Sequence, residues 1–462
     1  MNSRMNRNTL PAALVSLALL TAGAGSAFAA APETVAAKGA AFIIGTDAPL
    51  PSVTSFSVQI VSIDALTSTG ASVALLSSPT TIDFARYNGL QTLIDMNSVP
   101  AGTYDKIVIT LGPAVIGYLV TESGAAPTIH TEPATLTKTT LTDTLAIPLV
   151  VSESEPAGVR MDFDLHKSIE VSSTGQVTGT VKPVFDIGVV RPTDPGAYID
   201  QFDVGVIAPD PGTQSFTIEG PHGRHFTVDV TPQTEWDPGA SLSSLTSSSI
   251  VQVSGVLDRA TDTITADEVV ILSQSGFYAG GHATYVKRST GAASSFDLYV
   301  RGVLPATTGV ALGQIATVDL GGKEKYFVGW AHNALTEFVF NASALLPGQS
   351  IAVGGPATGA AHADAVTVNR VVLREWGYNG KLIPTSIDLA HDTFQLQIDG
   401  FAGVLVPAPV SVQVTPRTEF RGGLVGLHEL EVTDSLRVVG LLLKNPATGK
   451  TVLLARYIDL LD

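Results

Sequence analysis

The chain repeats itself. Val230-Thr231-Pro232-Gln233-Thr234-Glu235-Trp236 returns as Val414-Thr415-Pro416-Arg417-Thr418-Glu419-Phe420, and a looser copy stands between them at Asn333-Ala334-Leu335-Thr336-Glu337-Phe338. Recurrence of this kind means serial copies of one supersecondary unit, so it limits the architecture before any single residue is interpreted. The copies also extend beyond the signature. Upstream, each has a strand-like run ending in Gly220, Gly302 or Gly400. Downstream, an apolar strand reaches a glycine: Gly255 lies 19 residues after Trp236, Gly354 lies 16 after Phe338, and Gly440 lies 20 after Phe420. An Ala-Thr turn follows at Ala260-Thr261, Ala357-Thr358 and Ala447-Thr448, and a last apolar strand closes each copy.

Each copy reads as about six short strands with period-two alternation, punctuated by Gly, Pro, Asn and Asp. Its Thr, Val, Phe and Tyr residues suit a pleated, half-buried surface. Closing such a sheet on itself removes exposed edges, so each unit is expected to be a small β-barrel, the OB-like barrel being one form. The units are placed at residues 200–274, 277–376 and 377–462. The equivalent aromatics Trp236, Phe338 and Phe420 are expected to occupy matching, mostly buried places. Residues 38–190 lack the repeat but carry strand patterns at near-regular spacing, which predicts a β-sandwich. Arg191-Pro192-Thr193-Asp194-Pro195-Gly196 marks the linker between the two parts, because Pro and Gly stop both strand and helix. The fold class is therefore all-β: an N-terminal sandwich followed by three repeated small barrels.

The first 29 residues have another character. Arg4 and Arg7 precede a short apolar run from Leu10 to Ala22, and Ala27-Phe28-Ala29 has the small-x-small form of a cleavage site. This is the pattern of a secretory signal peptide, too short and wrongly flanked for a membrane anchor. It predicts an extracytoplasmic protein, in the periplasm, at the cell surface or secreted. No later stretch is apolar for long enough to span a membrane as a helix. The chain has no cysteine, which closes disulfide, thiolate and lipid-anchored routes. Its formal net charge is −16, and loss of Arg4 and Arg7 makes it −18. A surface of that sign repels phosphate backbones, so nucleic acid is not an expected partner.

Gly45-Thr46-Asp47-Ala48-Pro49, Val99-Pro100-Ala101-Gly102-Thr103-Tyr104, Met161-Asp162-Phe163-Asp164-Leu165-His166-Lys167-Ser168-Ile169 and Val181-Lys182-Pro183-Val184 resemble the secreted bacterial domain-of-unknown-function family 4382. The repeated unit resembles the domain-of-unknown-function family 5666. Together the two resemblances cover nearly all of the mature chain. They imply an extracytoplasmic β-domain protein, and they bring no catalytic residue.

Candidate chemistry is sparse. Asp162, Asp164 and His166 alternate with Phe163 and Leu165, so a continuous strand would put two carboxylates and an imidazole on one face, where they could hold a cation. The plainer account is a polar outer face, since alternation alone predicts one. His222 and His225 form the one close histidine pair, for which a tight hairpin is the simpler account. Thr448-Gly449-Lys450-Thr451 imitates the end of a phosphate-binding loop, but Lys444 stands where the loop's first glycine belongs, and the segment joins two strands. Trp376 and Tyr378, at a unit junction, are the candidates for stacking against a ligand. No catalytic residue and no cofactor is assigned. The favoured function is non-enzymatic binding or scaffolding, with an envelope polymer, glycan or protein as partner. The alternatives are a hydrolase using Asp162 and Asp164 as paired carboxylates and a cation-dependent surface protein.

Overall fold

Alternation governs the strands. In Thr393–Ile398, Phe394, Leu396 and Ile398 are buried while Gln395 and Gln397 are half-exposed on the other face. In the long strand Val53–Leu66 the ladder slips between Ile60 and Ser62. The slip turns Ile63 and Ala65 inward, where strict alternation from Ile60 would have buried Ser62 and Asp64. The structure, a computed structural model, describes residues 37–48, 53–87, 91–120, 128–154, 156–172, 176–191, 198–258, 260–305, 310–329, 338–356, 365–431, 434–446 and 448–461. The leader segment, the Pro/Gly linker at 192–197 and the Thr-Glu step of the middle copy lie outside the described residues. Residues 37–462 form one compact unit. No described helix is long and apolar enough to cross a membrane.

The N-terminal part is a two-sheet sandwich. One sheet orders Phe185–Val190, Ala157–Asp164, Lys38–Ala48 and Thr92–Pro100; the other is built around Val53–Leu66 and Gly102–Val120. Phe56, Ile107, Ile109 and Ile116 from the larger sheet meet Ile43, Val159, Met161 and Phe163 from the smaller one. The smaller sheet is covered on its second face as well: Phe42, Ile44, Leu93 and Met96 belong to the core of the first barrel. That explains the unbroken run Ala41-Phe42-Ile43-Ile44, all without exposure, since a strand buried on both faces has no reason to alternate.

The remainder is three barrel-like units with one strand order, of which the first and third close on themselves. In the first, Tyr198–Asp210, Ser215–Glu219, His225–Trp236, Thr263–Ser273 and Ile250–Asp258 close a ring, with the third and last strands parallel. The third barrel runs Trp376–Leu382, Thr393–Ile398, Val410–Gln413, Thr451–Leu461 and Ser435–Lys444, again with a parallel third–last pair. In the middle barrel the last strand is split. Ala365–Thr367 lies parallel to Ile315–Asp319, and Arg370–Arg374 pairs with Ser350–Gly355, which returns to Phe277–Ser289. This is the five-stranded Greek-key order of the OB barrel.

Strand pairing identifies equivalent residues and revises two alignments. Gly255 and Gly440 each sit at a register slip, where a Cβ would overlap the carbonyl oxygen of Thr265 or Leu454. In the middle barrel the glycine in that position is Gly355, whose Cβ would lie 2.6 Å from the Thr367 oxygen. Gly354 instead lets the middle barrel approach Leu272 of the first. Val253, Val353 and Val438 then pair with Val269, Val371 and Ile458. The parallel partners of that second set are Trp236, Tyr326 and Phe420. Tyr326, and not Phe338, therefore holds the aromatic place in the middle copy. All three rings are half-buried at the rim of their own core, less covered than expected.

The barrels also share cores. Ile250, Val270 and Leu272 of the first pack with Tyr278, Ala352 and Val372 of the second. Leu441 and Leu443 of the third enter the core of the second, while Leu442 between them enters its own.

Candidate functional site

The sandwich and all three barrels meet around one buried polar cluster. Asp203, on the first strand of the first barrel, is its centre. Its carboxylate takes a bidentate bond from Arg374, with Nη2 at 2.9 Å from Oδ1 and Nη1 at 3.1 Å from Oδ2. It also pairs with Arg86 from the sandwich and accepts the Tyr278 hydroxyl at 2.6 Å. Arg374 continues to Gln252 Oε1 at 2.8 Å and to the Tyr278 oxygen at 2.6 Å. A planar guanidinium suits such a node because its five donors are fixed in one fork. Burial pushes the Tyr278 hydroxyl well above its ordinary range.

A second node lies beside it. Arg456 of the third barrel reaches Glu375 at 2.7 Å, Asp200 at 3.6 Å and the Tyr198 oxygen at 3.2 Å. Burial raises the carboxyls of Asp200 and Glu375, and Arg456 opposes the rise in both. Gln201 donates to the Glu375 carbonyl at 3.1 Å, from a backbone held at φ 46°. A non-glycine residue in that region is strained, and the Ser254 hydroxyl holds it by accepting the Gln201 N–H at 3.1 Å. Arg301 ties the middle barrel to the sandwich by donating to the carbonyls of Ala85 and Thr54.

These side chains enclose a cavity of about 30 Å³ lined by Arg86, Arg301, Arg374, Tyr278, His282, Gln201 and Trp376 among others. Gly280, Gly281 and Gly302 also line it. A Cβ on Gly302 would lie 3.1 Å from the Arg86 guanidinium, so glycine is what lets that group lie over the barrel wall. His282 is 1 % exposed, and neither ring nitrogen has a hydrogen-bond partner. Burial, reinforced by Arg301 and Arg374, pushes its imidazole well below the usual range and keeps it neutral. Its ring meets Trp376 edge-on with centroids 4.5 Å apart, while Arg301 covers the Trp376 ring at 4.8 Å.

The residues singled out from sequence fare differently. Trp376 does line the cavity. Tyr378 is fully buried in the third barrel, donates to the Gly348 carbonyl at 3.1 Å and offers no face to a ligand. Asp162 lies on its strand directly opposite Asp186, and burial raises its carboxyl against the pull of Arg437 and Arg160. That strand ends at Asp164, which caps the helical turn Leu165–Ser168 by accepting the Lys167 N–H at 2.9 Å. The turn takes His166 off the strand, so the three groups do not share one face. Among the described residues, no three His, Asp or Glu side chains gather as a metal site. His222 sits in the turn of the hairpin between Ser215–Glu219 and His225–Trp236. No sequence pattern marks Arg86, Asp203, His282 or Arg301; the signal nearby is Arg374-Glu375-Trp376, charge interrupting an apolar run at a barrel boundary.

No curated protein matches the chain. A solved structure, a Cu(II) form of a CusF variant from Escherichia coli, is similar over 19% of this chain and 92% of that one, at 17% identity and a TM-score of 0.14. A likeness at that level leaves the chemistry of this chain to its own residues. Residues 43–183 match the family described as Domain of unknown function (DUF4382), and residues 205–270 match Domain of unknown function (DUF5666). The sandwich is thus similar to the DUF4382 family and the first barrel to the DUF5666 family.

Proposed function

We propose that this chain is an extracytoplasmic, non-enzymatic binding or scaffolding protein, which holds a fixed array of β bodies against an envelope polymer, a glycan or a protein. The observation that carries the reading is the junction itself. Domains within one chain move relative to one another unless their interface is large and well packed. Here the shared apolar cores and the Asp203 and Arg456 nodes bind the sandwich and barrels into one body. A fixed array can present loops from several barrels as one surface, and loops on rigid scaffolds are where binding residues concentrate. The leader-like segment and the acidic balance support an extracytoplasmic place.

The test is retention of the exported protein on purified envelope polymers and on a glycan array, with soluble fragments assayed in parallel. Retention without fragment release is the expected result. Fragment release that Asp162→Asn abolishes would replace this reading with the hydrolase. Failure to bind any surface would overturn the function, and recovery of the chain in the cytoplasm with Met1 intact would overturn its location.

A further inference from the structure

We infer that the cavity at the junction of the sandwich and barrels is a binding site for one small monovalent anion, of the size of chloride or formate. Its wall is cationic. The guanidinium groups of Arg86, Arg301 and Arg374 line it, with Asp200 as the carboxylate among the lining groups and Arg456 beside that carboxylate. Asp203 lies behind the wall, engaged by two of the arginines and by Tyr278. His282 supplies the second, independent observation. It is all but inaccessible, it borders the cavity, and both its nitrogens lack a protein partner. A buried polar group of that kind is normally satisfied, and a neutral imidazole always carries one N–H donor. That N–H and the nearby guanidinium donors suit an acceptor that is also negatively charged. Charge favours an anion over water, because three guanidinium groups stand in the wall against the one carboxylate of Asp200, which Arg456 also engages.

Size narrows the class. A volume of about 30 Å³ has room for a particle of one or two waters and none for a sugar or a nucleotide. The sandwich, the first two barrels and the start of the third strand system at Trp376 all contribute to the wall, so an ion bound there would join the bodies as well as fill the hole.

Two measurements on the full chain test this. The first is anomalous scattering from crystals grown in sodium bromide, and the expected result is a bromide peak beside the His282 ring. A cavity holding only water, with bromide confined to the outer surface, overturns the inference. The second is the melting temperature in chloride or formate against gluconate at equal ionic strength. Chloride and formate are expected to raise it by a few degrees through linkage, while gluconate, too large to enter, is not. His282→Phe keeps the ring and removes the N–H, so it is expected to abolish the rise. An equal rise in the variant would show a non-specific salt effect and overturn the inference. Should the variant fail to fold, the bromide peak in the unaltered protein decides alone. Neither result bears on whether the protein binds envelope polymers, so the two readings stand or fall separately.

Discussion

Thr234 and Thr418 make the same pair of bonds in different barrels. The Thr234 hydroxyl accepts the Thr231 N–H at 2.9 Å and donates to the Ala266 carbonyl at 2.6 Å. The Thr418 hydroxyl accepts the Thr415 N–H at 2.9 Å and donates to the Ala455 carbonyl at 2.7 Å. Each pins the Thr-Pro kink against the last strand of its barrel. Valine has the same shape and no hydroxyl, so Thr234→Val and Thr418→Val each leave a donor and an acceptor unpaired. Each is expected to lower stability by about 1–3 kcal/mol in urea unfolding, with the more buried Thr234 the costlier.

The glycines provide a sharper contrast. At Gly255 and Gly440 an added methyl meets backbone oxygen, which cannot step aside as a side chain can. Gly255→Ala and Gly440→Ala are each expected to cost about 1–3 kcal/mol. Gly205 is the control, with nothing within 4 Å of its added methyl. Gly205→Ala should shift the denaturation midpoint little.

Much of this architecture is legible from residues. The Thr-x-x-Thr-Glu-aromatic step recurs because a bond at Thr234 and Thr418 requires a hydroxyl, and Gly255 and Gly440 recur because a tight approach excludes a side chain. Such local demands leave a trace in sequence. The middle copy departs at its aromatic for a physical reason. Tyr326 fills the aromatic place without the Thr-Glu context, since the pleat asks only for a large ring at the rim, so spacing favoured Phe338. His166 misled because alternation cannot reveal that Asp164 would cap a helical turn and end the strand. The junction was hidden for a further reason. Arg86 and Asp203 are 117 residues apart, and Arg456 and Tyr198 are 258 apart. No periodicity connects partners that meet only after folding.

Asp203→Asn would leave Arg374 buried, and Arg86 partly buried, without their carboxylate. Its side chain is 4% exposed and that of Arg374 is 6%. Removing one partner of a buried pair costs about 3–5 kcal/mol. The Arg421–Glu419 pair, 44% and 65% exposed, offers the comparison, and Glu419→Gln is expected to cost less than about 1 kcal/mol. Hydrogen exchange should show the Asp203→Asn loss spread across the boundary between the first two barrels.

His282 predicts an acid sensitivity. Its folded form binds a proton far less readily than the unfolded chain, whose imidazole titrates near 6.5. Stability from this group is therefore complete above pH 6.5 and is lost as pH falls from there toward the depressed folded value. Within that window the slope is about 1.4 kcal/mol per pH unit. Unfolding measured from pH 7.5 down to pH 5 on the protein and on His282→Phe should show a flatter curve for the variant. Parallel curves would mean that His282 is protonated in place.

The barrels are joined end to end with almost no chain to spare. The first barrel's closing strand ends at Ser273 and the second opens at Phe277; the second closes at Arg374 and the third opens at Trp376. Glu375 alone separates the last pair, and it is bound to Arg456. Such a connection leaves no hinge, and nowhere for a partial insertion to be absorbed. At these junctions the chain can lengthen only by an entire barrel. Each barrel added must arrive with a surface already fitted to the wall of the one before it, as Leu441 and Leu443 are fitted to the barrel they lean on.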